Sequence, residues 1–466
     1  MRKEKNLKPM LSPKSVAIIG ASRNPEKVGH IILQNYIDAG YAGKIYPINI
    51  DATQIMGIKA YRSVLDVKAP IDLAVIAIPA EAVPEAMEEC GKAGVKAVVV
   101  VSGGFAEIGK AGLQEQLALT AEKYGMPTLG PNCLGVMNPR SRSDTLFLPT
   151  FKISRPEIGG VSFMAQSGAV GSTVLDMISG EGFGLSKFIS YGNAAHVDES
   201  DILNYFMKDK ETKVIVMYLE GIKDGKAFMK IARKVGRAKP VIVLKAGKTR
   251  AGSQAAHSHT AALAGDYEVA EAAFRQSGFI IAEDISELLY YAKIFASEAQ
   301  PRGPRVAIVT DGGGAGVLMT DAVASSGVLK LAEFSPGTIS ALKKAMPPLV
   351  NARNPLDLAG DADGRRYAEA LSILSSDQNI DMLIVIVLFQ TPGADSALAA
   401  KLIEYKGGST RPMVVMSIGA EYTEMHKRMM ERSGLPVYDS PRSAAAALAA
   451  LYSYSMFRNR KSLSVP

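Results

Sequence analysis

The chain has 466 residues, of which 47 % are apolar and 21 % charged, a composition typical of globular proteins with about three domains at this length. Its formal charge of +7 is spread over scattered lysines and arginines, which argues against a nucleic-acid groove but leaves a weak positive field that suits phosphorylated ligands. The two cysteines lack metal-ligand spacing, the N-terminus lacks the apolar segment of a signal peptide, and no apolar stretch reaches about 18 residues, so we expect no metal site, no membrane span and a cytoplasmic location.

Short runs rich in valine and isoleucine recur along the chain, and each is followed by a glycine-containing turn and a helical pattern. Continuous apolar runs indicate strands buried on both faces, as in parallel sheets covered by helices. The repeated strand–helix order therefore predicts α/β, doubly wound domains. The runs are Ser15–Ile19, Lys44–Ile48, Leu73–Ile78, Ala97–Val101, Gly160–Met164, Lys187–Ser190, Val214–Leu219, Pro240–Leu244, Arg305–Val309, Met382–Val387 and Pro412–Met416.

Two segments rich in proline and polar residues divide these runs into three groups. The first segment extends from Asn138 to Pro156, and the second, residues 300–304, combines proline and glycine directly before a new strand. The predicted domains are residues 1–145, 146–300 and 303–466.

The turn after the first strand carries glycine at positions 20 and 29 but lacks the full Gly-x-Gly-x-x-Gly pattern of a nicotinamide dinucleotide site. Backbone N–H groups at such a turn and the following helix N-terminus favour a phosphate. Asp51 lies beyond the usual position of the acidic residue that binds an NAD ribose. A nucleotide-like ligand such as coenzyme A (CoA) fits better, and a tight turn without a ligand is the alternative. The residues predicted to bind CoA here are Gly20, Ala21, Ser22, Arg23, Gly29 and Asn49.

Three further turns follow predicted strands of the first domain. They contain Pro79, the pair Ser102 and Gly103, and Asn132 followed by Cys133. Because ligands of open parallel sheets bind at the carboxyl ends of the strands, we expect the first four of these residues to line the same CoA crevice. Cys133 is a single cysteine in an apolar turn, and we assign it no role.

Helix starts rich in small residues follow a strand in both the second and the third domain. Gln166, Ser167 and Gly168 precede an apolar helix in the second domain, and Gly313 and Gly314 take the same position in the third. Backbone N–H groups and a serine hydroxyl at a helix start can bind an anion. Small residues also permit close packing of a helix on a strand, which leaves a structural interpretation open for each.

A carboxylate and two histidines complete the candidate chemistry of the second domain. Glu220 follows the strand Val214–Leu219, where its carboxylate can accept the N–H of a histidine ring or can simply be solvated. His257 and His259 are two of only five histidines, and they lie among small residues between two glycines. Imidazole in such a stretch can take a phosphoryl group as a nucleophile, and a surface loop with two solvated histidines is the alternative.

Eight short motifs are specific in combination although none is specific alone. They are Gly20-Ala-Ser-Arg-x-Pro, Gly130-Pro-Asn-Cys-x-Gly, Gln166-Ser-Gly, Ser190-Tyr-Gly-Asn193, Leu219-Glu220, Ser258-His-Thr-Ala-Ala-Leu-Ala-Gly265, Thr310-Asp-Gly-Gly-Gly and Asn354-Pro-Leu-Asp357. With them the chain resembles the α subunits of NDP-forming acyl-CoA synthetases, of the ADP-forming acetyl-CoA synthetase type, in the succinyl-CoA synthetase superfamily. The resemblance covers essentially the whole chain. It implies a Rossmann-like CoA-binding domain followed by two flavodoxin-like ligase-CoA domains.

The resemblance implies a reversible reaction in which acyl-CoA, ADP and phosphate give the free acid, ATP and CoA. Phosphate attacks the thioester to give an acyl phosphate, a histidine of this subunit takes the phosphoryl group, and a mobile segment carries it to an ATP-grasp β subunit. CoA or acetyl-CoA and phosphate are thus expected on this chain. ADP or ATP with Mg²⁺ is expected on the separate β subunit, in an α2β2 heterotetramer, with no nucleic-acid or membrane partner.

The resemblance also implies roles for single residues. The family's phosphohistidine begins a His-Thr-x-x-Leu-Ala-Gly pattern, which selects His259, with His257 as the runner-up, and Glu220 precedes His259 by 39 residues, as suits the family's glutamate–histidine pair. Relatives often place proline and lysine after the asparagine of the second strand, whereas Ile50 and Asp51 stand here, so the chain departs from the family at this CoA contact. The residues expected to bind phosphate or the acyl group are Gln166, Ser167, Gly168, Asn193, Gly313 and Gly314.

Two other functions are compatible with parts of the sequence. A catalytically silent CoA- or acyl-CoA-binding regulatory protein would share the fold, but the presence of Glu220, His259 and both glycine-rich helix starts argues against it. A nicotinamide-dependent dehydrogenase would need the missing glycine pattern. The acyl specificity and the choice between ADP and GDP are not determined by the sequence.

Overall fold

The computed structural model describes residues 4–254 and 266–460. The strands are β1 (Ser15–Ile19), β2 (Lys44–Ile48), β3 (Gln54–Ile55), β4 (Ile58–Lys59), β5 (Leu73–Ile76), β6 (Ala97–Val100), β7 (Thr128–Leu129), β8 (Gly135–Asn138), β9 (Ser143–Asp144), β10 (Ile158–Ala165), β11 (Leu185–Ser190), β12 (Val214–Leu219), β13 (Val241–Lys245), β14 (Ile280–Ala282), β15 (Arg305–Thr310), β16 (Lys330–Leu331), β17 (Leu356–Asp357), β18 (Met382–Ile386), β19 (Met413–Met416) and β20 (Val437–Tyr438). The α-helices with both ends in the described residues are α1 (Lys8–Leu11), α2 (Val28–Asp38), α3 (Val83–Lys92), α4 (Ala111–Lys123), α5 (Gly168–Gly180), α6 (Glu199–Lys208), α7 (Gly225–Ala238), α8 (Tyr267–Gln276), α9 (Ile285–Ser297), α10 (Gly313–Ser325), α11 (Pro336–Ala345), α12 (Gly364–Ser375), α13 (Ser396–Gly408), α14 (Glu421–Arg432) and α15 (Pro441–Asn459).

Short acidic side chains fix the starts of the helices that follow β11 and β12. The Asp198 carboxylate accepts the backbone N–H groups of Ser200 and Asp201, both at 3.1 Å, at the start of α6. Asp224 caps α7 in the same way. Such a cap satisfies N–H groups that the first helical turn leaves unbonded and contributes about 1 kcal/mol.

The chain folds into two compact units. The first unit contains residues 1–180 and 184–285, and the second contains residues 181–183 and 286–466. The first unit holds a five-stranded sheet, a seven-stranded sheet and the pair β3–β4, whereas the second unit holds one six-stranded sheet. In the first unit a single apolar cluster includes Ile18 of β1 and Met164 of β10, so its two large sheets share one core.

The first sheet has the strand order β2-β1-β5-β6-β7, and every pair is parallel. Strands β1, β5 and β6 are buried along their whole length, as continuous apolar runs predict. Because β2 and β5 lie on opposite sides of β1, the strand order reverses there, and ligands of open sheets bind at the carboxyl ends of the strands beside such a reversal. The turns that contain Gly20 and Pro79 lie at this place.

The second sheet has the order β14-β13-β12-β10-β11-β8-β9. Strands β10 to β14 are parallel, and β8 and β9 form an antiparallel edge. The strand order reverses at β10, between β11 and β12, and the turns after β10 and β12 begin with Gln166 and Glu220. The predicted first domain, residues 1–145, includes β8 and β9, and β8 pairs with the later β11 in a long-range contact that leaves no local pattern.

The sheet of the second unit has the order β16-β15-β18-β19-β20, with β17 also paired to β15, and all its pairs are parallel. The three parallel sheets confirm the predicted α/β, doubly wound fold class. The domain limits 1–145, 146–300 and 303–466 stay a prediction. Within residues 4–254 and 266–460 no helix is both long and apolar enough to span a membrane.

Candidate functional site

One side chain joins the turns that follow β10 and β12. The side-chain oxygen of Gln166 accepts the backbone N–H groups of Glu220 at 2.8 Å and of Gly221 at 2.9 Å. The backbone N–H of Gln166 donates to the Tyr218 carbonyl at 3.1 Å, so Gln166 is tied to β12 at both ends. The predicted anion ligand Gln166 therefore holds the turn that carries Glu220, and its NH₂ group is the part of the side chain left to bind an anion.

Glu220 lies buried at the carboxyl edge of the second sheet. The residue is 7 % exposed, and its Oε1 atom accepts a long hydrogen bond from the Tyr218 hydroxyl at 3.4 Å. This burial excludes the alternative of a simply solvated glutamate at a strand end. A buried carboxylate is costly unless polar groups compensate it, so its presence in this crevice indicates a specific role.

Two further titratable residues, Tyr191 and Glu199, lie near Glu220 at the carboxyl edge of the second sheet. Tyr191 follows β11 and is fully buried, and its hydroxyl has no hydrogen-bond partner in the described part of the chain. Burial raises the pKa of Tyr191, and the charges of Glu199 and Glu220 raise it further. Burial also raises the pKa of Glu199 to about 7, although its carboxylate accepts the backbone N–H of Lys223 at 2.9 Å.

Lys245 is a buried cation that the sequence analysis missed. Its ammonium group donates to the carbonyl oxygens of Glu220 at 2.9 Å and of Ala246 at 2.5 Å, and the residue is 6 % exposed. Burial lowers the pKa of Lys245, and the Glu220 charge acts in the opposite direction. In the sequence, a lysine at the end of a strand suggests a solvated side chain. Only the tertiary structure shows that the Lys245 side chain is buried.

The helix start at Ser167 and Gly168 lies beside Gln166. A Cβ atom on Gly168 would lie 3.7 Å from the Leu134 side chain, an ordinary contact, so packing does not require glycine there. Packing favours glycine one turn later, because a Cβ on Gly171 would make a tight contact of 3.1 Å with the Phe188 ring. The structure thus explains Gly171 by close packing and leaves the anion-binding interpretation of Ser167 and Gly168 as a prediction.

The two glycines of the first-sheet turn are fixed by backbone contact. Gly20 has φ +93°, and a Cβ on it would lie 2.4 Å from the Ala77 carbonyl oxygen. A Cβ on Gly29 would lie only 2.0 Å from the carbonyl oxygen of Gly20, which brings α2 against the turn. Close backbone approach therefore accounts for both glycines, and phosphate binding by this turn stays a prediction.

Asn49 holds the same turn from the second strand. Its side-chain NH₂ donates to the Ala21 carbonyl at 2.8 Å, and its side-chain oxygen accepts the N–H groups of Asp51 and Ala52. Ala21 is buried, whereas Ser22 and Arg23 are progressively more exposed and remain accessible to a ligand. At the position where relatives often carry proline and lysine, Ile50 is 65 % exposed.

Two of the remaining predicted residues of the first crevice, Ser102 and Asn132, belong to one hydrogen-bonded chain. The Ser102 hydroxyl donates to the Ile78 carbonyl at 2.6 Å, and the Ser102 carbonyl accepts the Asn132 N–H at 2.8 Å. The Asn132 side chain donates to Asn193 at 3.3 Å, and Asn193 donates to Glu107 at 2.6 Å. Asn193, predicted to bind phosphate or the acyl group together with Gln166, therefore also links the loops of the two sheets of the first unit.

Glu107 organises the loop that contains Gly103, and the sequence analysis gave it no role. It accepts the backbone N–H groups of Gly104 at 2.6 Å and of Phe105 at 3.2 Å. Partial burial alone would raise the pKa of Glu107, but these N–H groups and the Asn193 amide lower it below its usual value. Pro79 is exposed at the neighbouring strand end.

Gly313 and Gly314 lie in the second unit, at the start of α10 directly after β15. A Cβ on Gly313 would lie 2.8 Å from an Asp357 carboxylate oxygen, whereas one on Gly314 would meet nothing within 4 Å. Asp311, at the end of β15, accepts the Leu388 N–H at 3.1 Å, and burial raises its pKa. Gly313 and Gly314 thus lie at a helix start, as predicted, and their role in anion binding stays a prediction.

The two candidate phosphoryl carriers, His257 and His259, lie outside the described residues. The described chain reaches residue 254 and continues at residue 266. Among the described residues, no group of three or more histidine, cysteine, aspartate and glutamate side chains could hold a metal ion. The choice between His257 and His259 stays a prediction from the motif.

Three family models together match most of the chain. They are a CoA binding domain over residues 14–139, a succinyl-CoA ligase like flavodoxin domain over residues 158–295 and a ligase-CoA domain over residues 306–460. The first match contains the whole five-stranded sheet, the second contains β10 to β14 of the seven-stranded sheet, and the third contains all but the first residue of the six-stranded sheet.

Two relatives from Pyrococcus furiosus match nearly the whole chain. The α subunit of acetate–CoA ligase (ADP-forming) II is 39 % identical over 449 residues, which cover 94 % of this chain and 96 % of the relative. The α subunit of acetate–CoA ligase (ADP-forming) I is 39 % identical over 462 residues, which cover 97 % and 98 %. The chain belongs to the family of ADP-forming acetate–CoA ligase α subunits.

A solved structure agrees with this membership. The "dinucleotide forming Acetyl-coenzyme A synthetase 1" of Ca. Korarchaeum cryptofilum, in complex with phosphate and ADP, is similar with a TM-score of 0.91 and 36 % identity, and the match covers 97 % of both chains. The ADP-forming acetate–CoA ligase α subunits are subunits of ligases, and their naming as subunits fits a separate partner chain.

Proposed function

We propose that this chain is the acyl-CoA-binding subunit of an ADP-forming acetate–CoA ligase and carries the transferred phosphoryl group on His259. The observation that supports this most strongly is the buried Glu220, held by Gln166 at the strand reversal of the second sheet. It precedes His259 by 39 residues in the sequence. A buried carboxylate at that place suits the task of orienting an imidazole and stabilising its positive charge.

The reaction runs through two covalent intermediates. A phosphate oxygen attacks the thioester carbonyl carbon, and the C–S bond breaks. CoA departs as the thiolate, and the product is an acyl phosphate. A ring nitrogen of His259 then attacks phosphorus, and the acid leaves as a carboxylate. Glu220 accepts the N–H of the other ring nitrogen, which keeps the attacking nitrogen unprotonated. ADP finally takes the phosphoryl group from the histidine to give ATP.

The substrates divide between the subunits. CoA binds at the carboxyl edge of the first sheet, where the turn from Gly20 to Arg23 and the loop at Ser102 supply backbone N–H groups and hydroxyls. Phosphate and the acyl group bind beside Gln166, Ser167 and Gly168. The nucleotide and Mg²⁺ bind to an ATP-grasp β subunit, in a cytoplasmic α2β2 heterotetramer.

Phosphorylation of the chain tests the proposal directly. The purified chain is incubated with acetyl-CoA and phosphate at neutral pH, and peptide mass spectrometry locates the phosphoryl group. We expect it on His259 and not on His257, and we expect ATP formation only after ADP and the β subunit are added. Retention of phosphorylation in His259→Ala would overturn the assignment. CoA binding without any phosphorylation would instead support a catalytically silent regulatory protein.

A further inference from the structure

Lys245 stands next to Glu220 in the sheet and next to the histidine segment in the sequence. It is the last residue of β13 and pairs in register with Leu219, the residue before Glu220. The chain that follows β13 leads to His257 and His259. In the sequence, Lys245 therefore lies between Glu220 and the two candidate histidines.

The contacts of Lys245 are unusual for a buried lysine. Its ammonium group donates to two main-chain carbonyls, those of Glu220 and Ala246. By contrast, Lys187 in the same unit is even more buried but contacts two carboxylates, those of Asp209 and Glu211, each at 2.7 Å. A buried cation that makes no ion pair among the described residues is costly, so its presence beside Glu220 calls for an electrostatic task.

The charge of Lys245 and the charge of Glu220 act on each other. The carboxylate raises the pKa of Lys245 against the lowering that burial causes. Such coupling is reciprocal, so the ammonium group also favours the ionised form of Glu220. The Tyr218 hydroxyl donates to the same carboxylate, and Tyr191 lies in the field of both Glu199 and Glu220.

We propose that Lys245 is a positioning residue for phosphoryl transfer: it fastens the main chain of Glu220 to the exit of β13 and keeps the Glu220 carboxylate ionised for the histidine. This inference rests on the proposed function, because it requires a histidine after β13 as the phosphoryl acceptor. The acidic limb of the pH–rate profile then reports protonation of Glu220.

Lys245→Met tests the charge. The full chain with its β subunit is assayed with acetyl-CoA, ADP and phosphate from acidic to alkaline pH. We expect kcat to fall about tenfold or more at neutral pH and the midpoint of the acidic limb to rise by about one pH unit, because a nearby opposite charge shifts a carboxyl group by that amount or more. The KM for acetyl-CoA should stay unchanged. Lys245→Arg, which keeps the charge, should restore the midpoint.

Lys187→Met is the matched control, since it also removes a buried lysine from the first unit but leaves Glu220 untouched. It should lower stability and leave the midpoint unchanged. An unchanged midpoint in Lys245→Met, or the same shift in Lys187→Met, would overturn the inference. Lys245→Gln replaces Lys245→Met if the latter does not fold, with the same expected shift. If the unaltered protein transfers no phosphoryl group, the proposed function fails instead.

Discussion

The two ligand-side edges of the first unit are fixed in opposite ways. The turn after β1 is defined by the absence of side chains, because an added Cβ on Gly20 or Gly29 would overlap a carbonyl oxygen. The turn after β12 is defined by side chains that are present, since Gln166 and Lys245 both hold the main chain of Glu220. Substitutions at the first edge should therefore destabilise the protein by steric overlap. Substitutions at the second edge should act by removing polar contacts and charge.

Of the changes at the second edge, Glu220→Gln should lower activity most strongly. The rate of phosphorylation by acetyl-CoA and phosphate should fall by about 10²–10⁴-fold, as for loss of a group that assists proton placement. The free energy of unfolding should also fall, because Lys245 then stays buried without the opposite charge of Glu220. Glu157→Gln, at an exposed position before β10, is the control and should keep the full rate. Equal rates in the two variants would contradict the role of Glu220.

Gly29→Ala should destabilise the first edge by steric overlap. Its Cβ would lie 2.0 Å from the Gly20 carbonyl oxygen, so we expect a loss of about 3 to 4 kcal/mol in the free energy of unfolding. Gly112→Ala is a close match, because Gly112 is also the second residue of a helix but has open space around it. That change should stabilise the protein by about 0.5–1 kcal/mol. Urea unfolding of both variants measures the contrast.

Glu199→Gln tests the cost of a buried charge near the second edge. The folded protein holds the Glu199 proton more tightly than the unfolded chain does, so stability is lost as the pH rises from the ordinary pKa of 4.5 towards about 7. The glutamine variant lacks this loss and should be more stable than the unaltered protein by about 3 kcal/mol at about pH 8, with no such gain at about pH 5. Unfolding at the two pH values tests it. The same pH-dependent gain in Glu115→Gln, at an exposed position on α4, would contradict this cause.

Gln166→Leu should have the smallest of the four effects when each effect is expressed as a free energy. It leaves the N–H groups of Glu220 and Gly221 without the acceptor they have now. We expect a loss of about 2 kcal/mol in the free energy of unfolding, typical of buried donors left unsatisfied. Gln276→Leu, at an exposed position, should cost much less. If the two changes cost the same, Gln166 does not hold the turn.

Local sequence pattern predicted the first edge better than the second. Continuous apolar runs located β1, β5, β10 and β12, and glycine at position 20 marked a turn that only a residue without a side chain can form. The position of Glu220 at the carboxyl end of β12 was also predicted, because strand ends follow from the same runs. These features depend on residues close together in the chain.

The features that escaped prediction depend on distant parts of the chain. Lys245 is buried only because β13 packs beside β12, and Gln166 holds the Glu220 turn only because β10 and β12 are neighbours. Asn193 reaches Glu107 across the join between the two sheets. No local pattern encodes such contacts, since they arise from strand order and not from periodicity.

The antiparallel edge made by β8 and β9 constrains the order of events during synthesis. Both strands leave the ribosome before β10 and β11 exist, yet β8 pairs with β11, which ends at Ser190. Until then β8 exposes unpaired N–H and C=O groups to any other strand nearby. A nascent chain therefore cannot pair this edge before β11 is made, and a stalled or shortened chain that ends before Ser190 should be prone to aggregation.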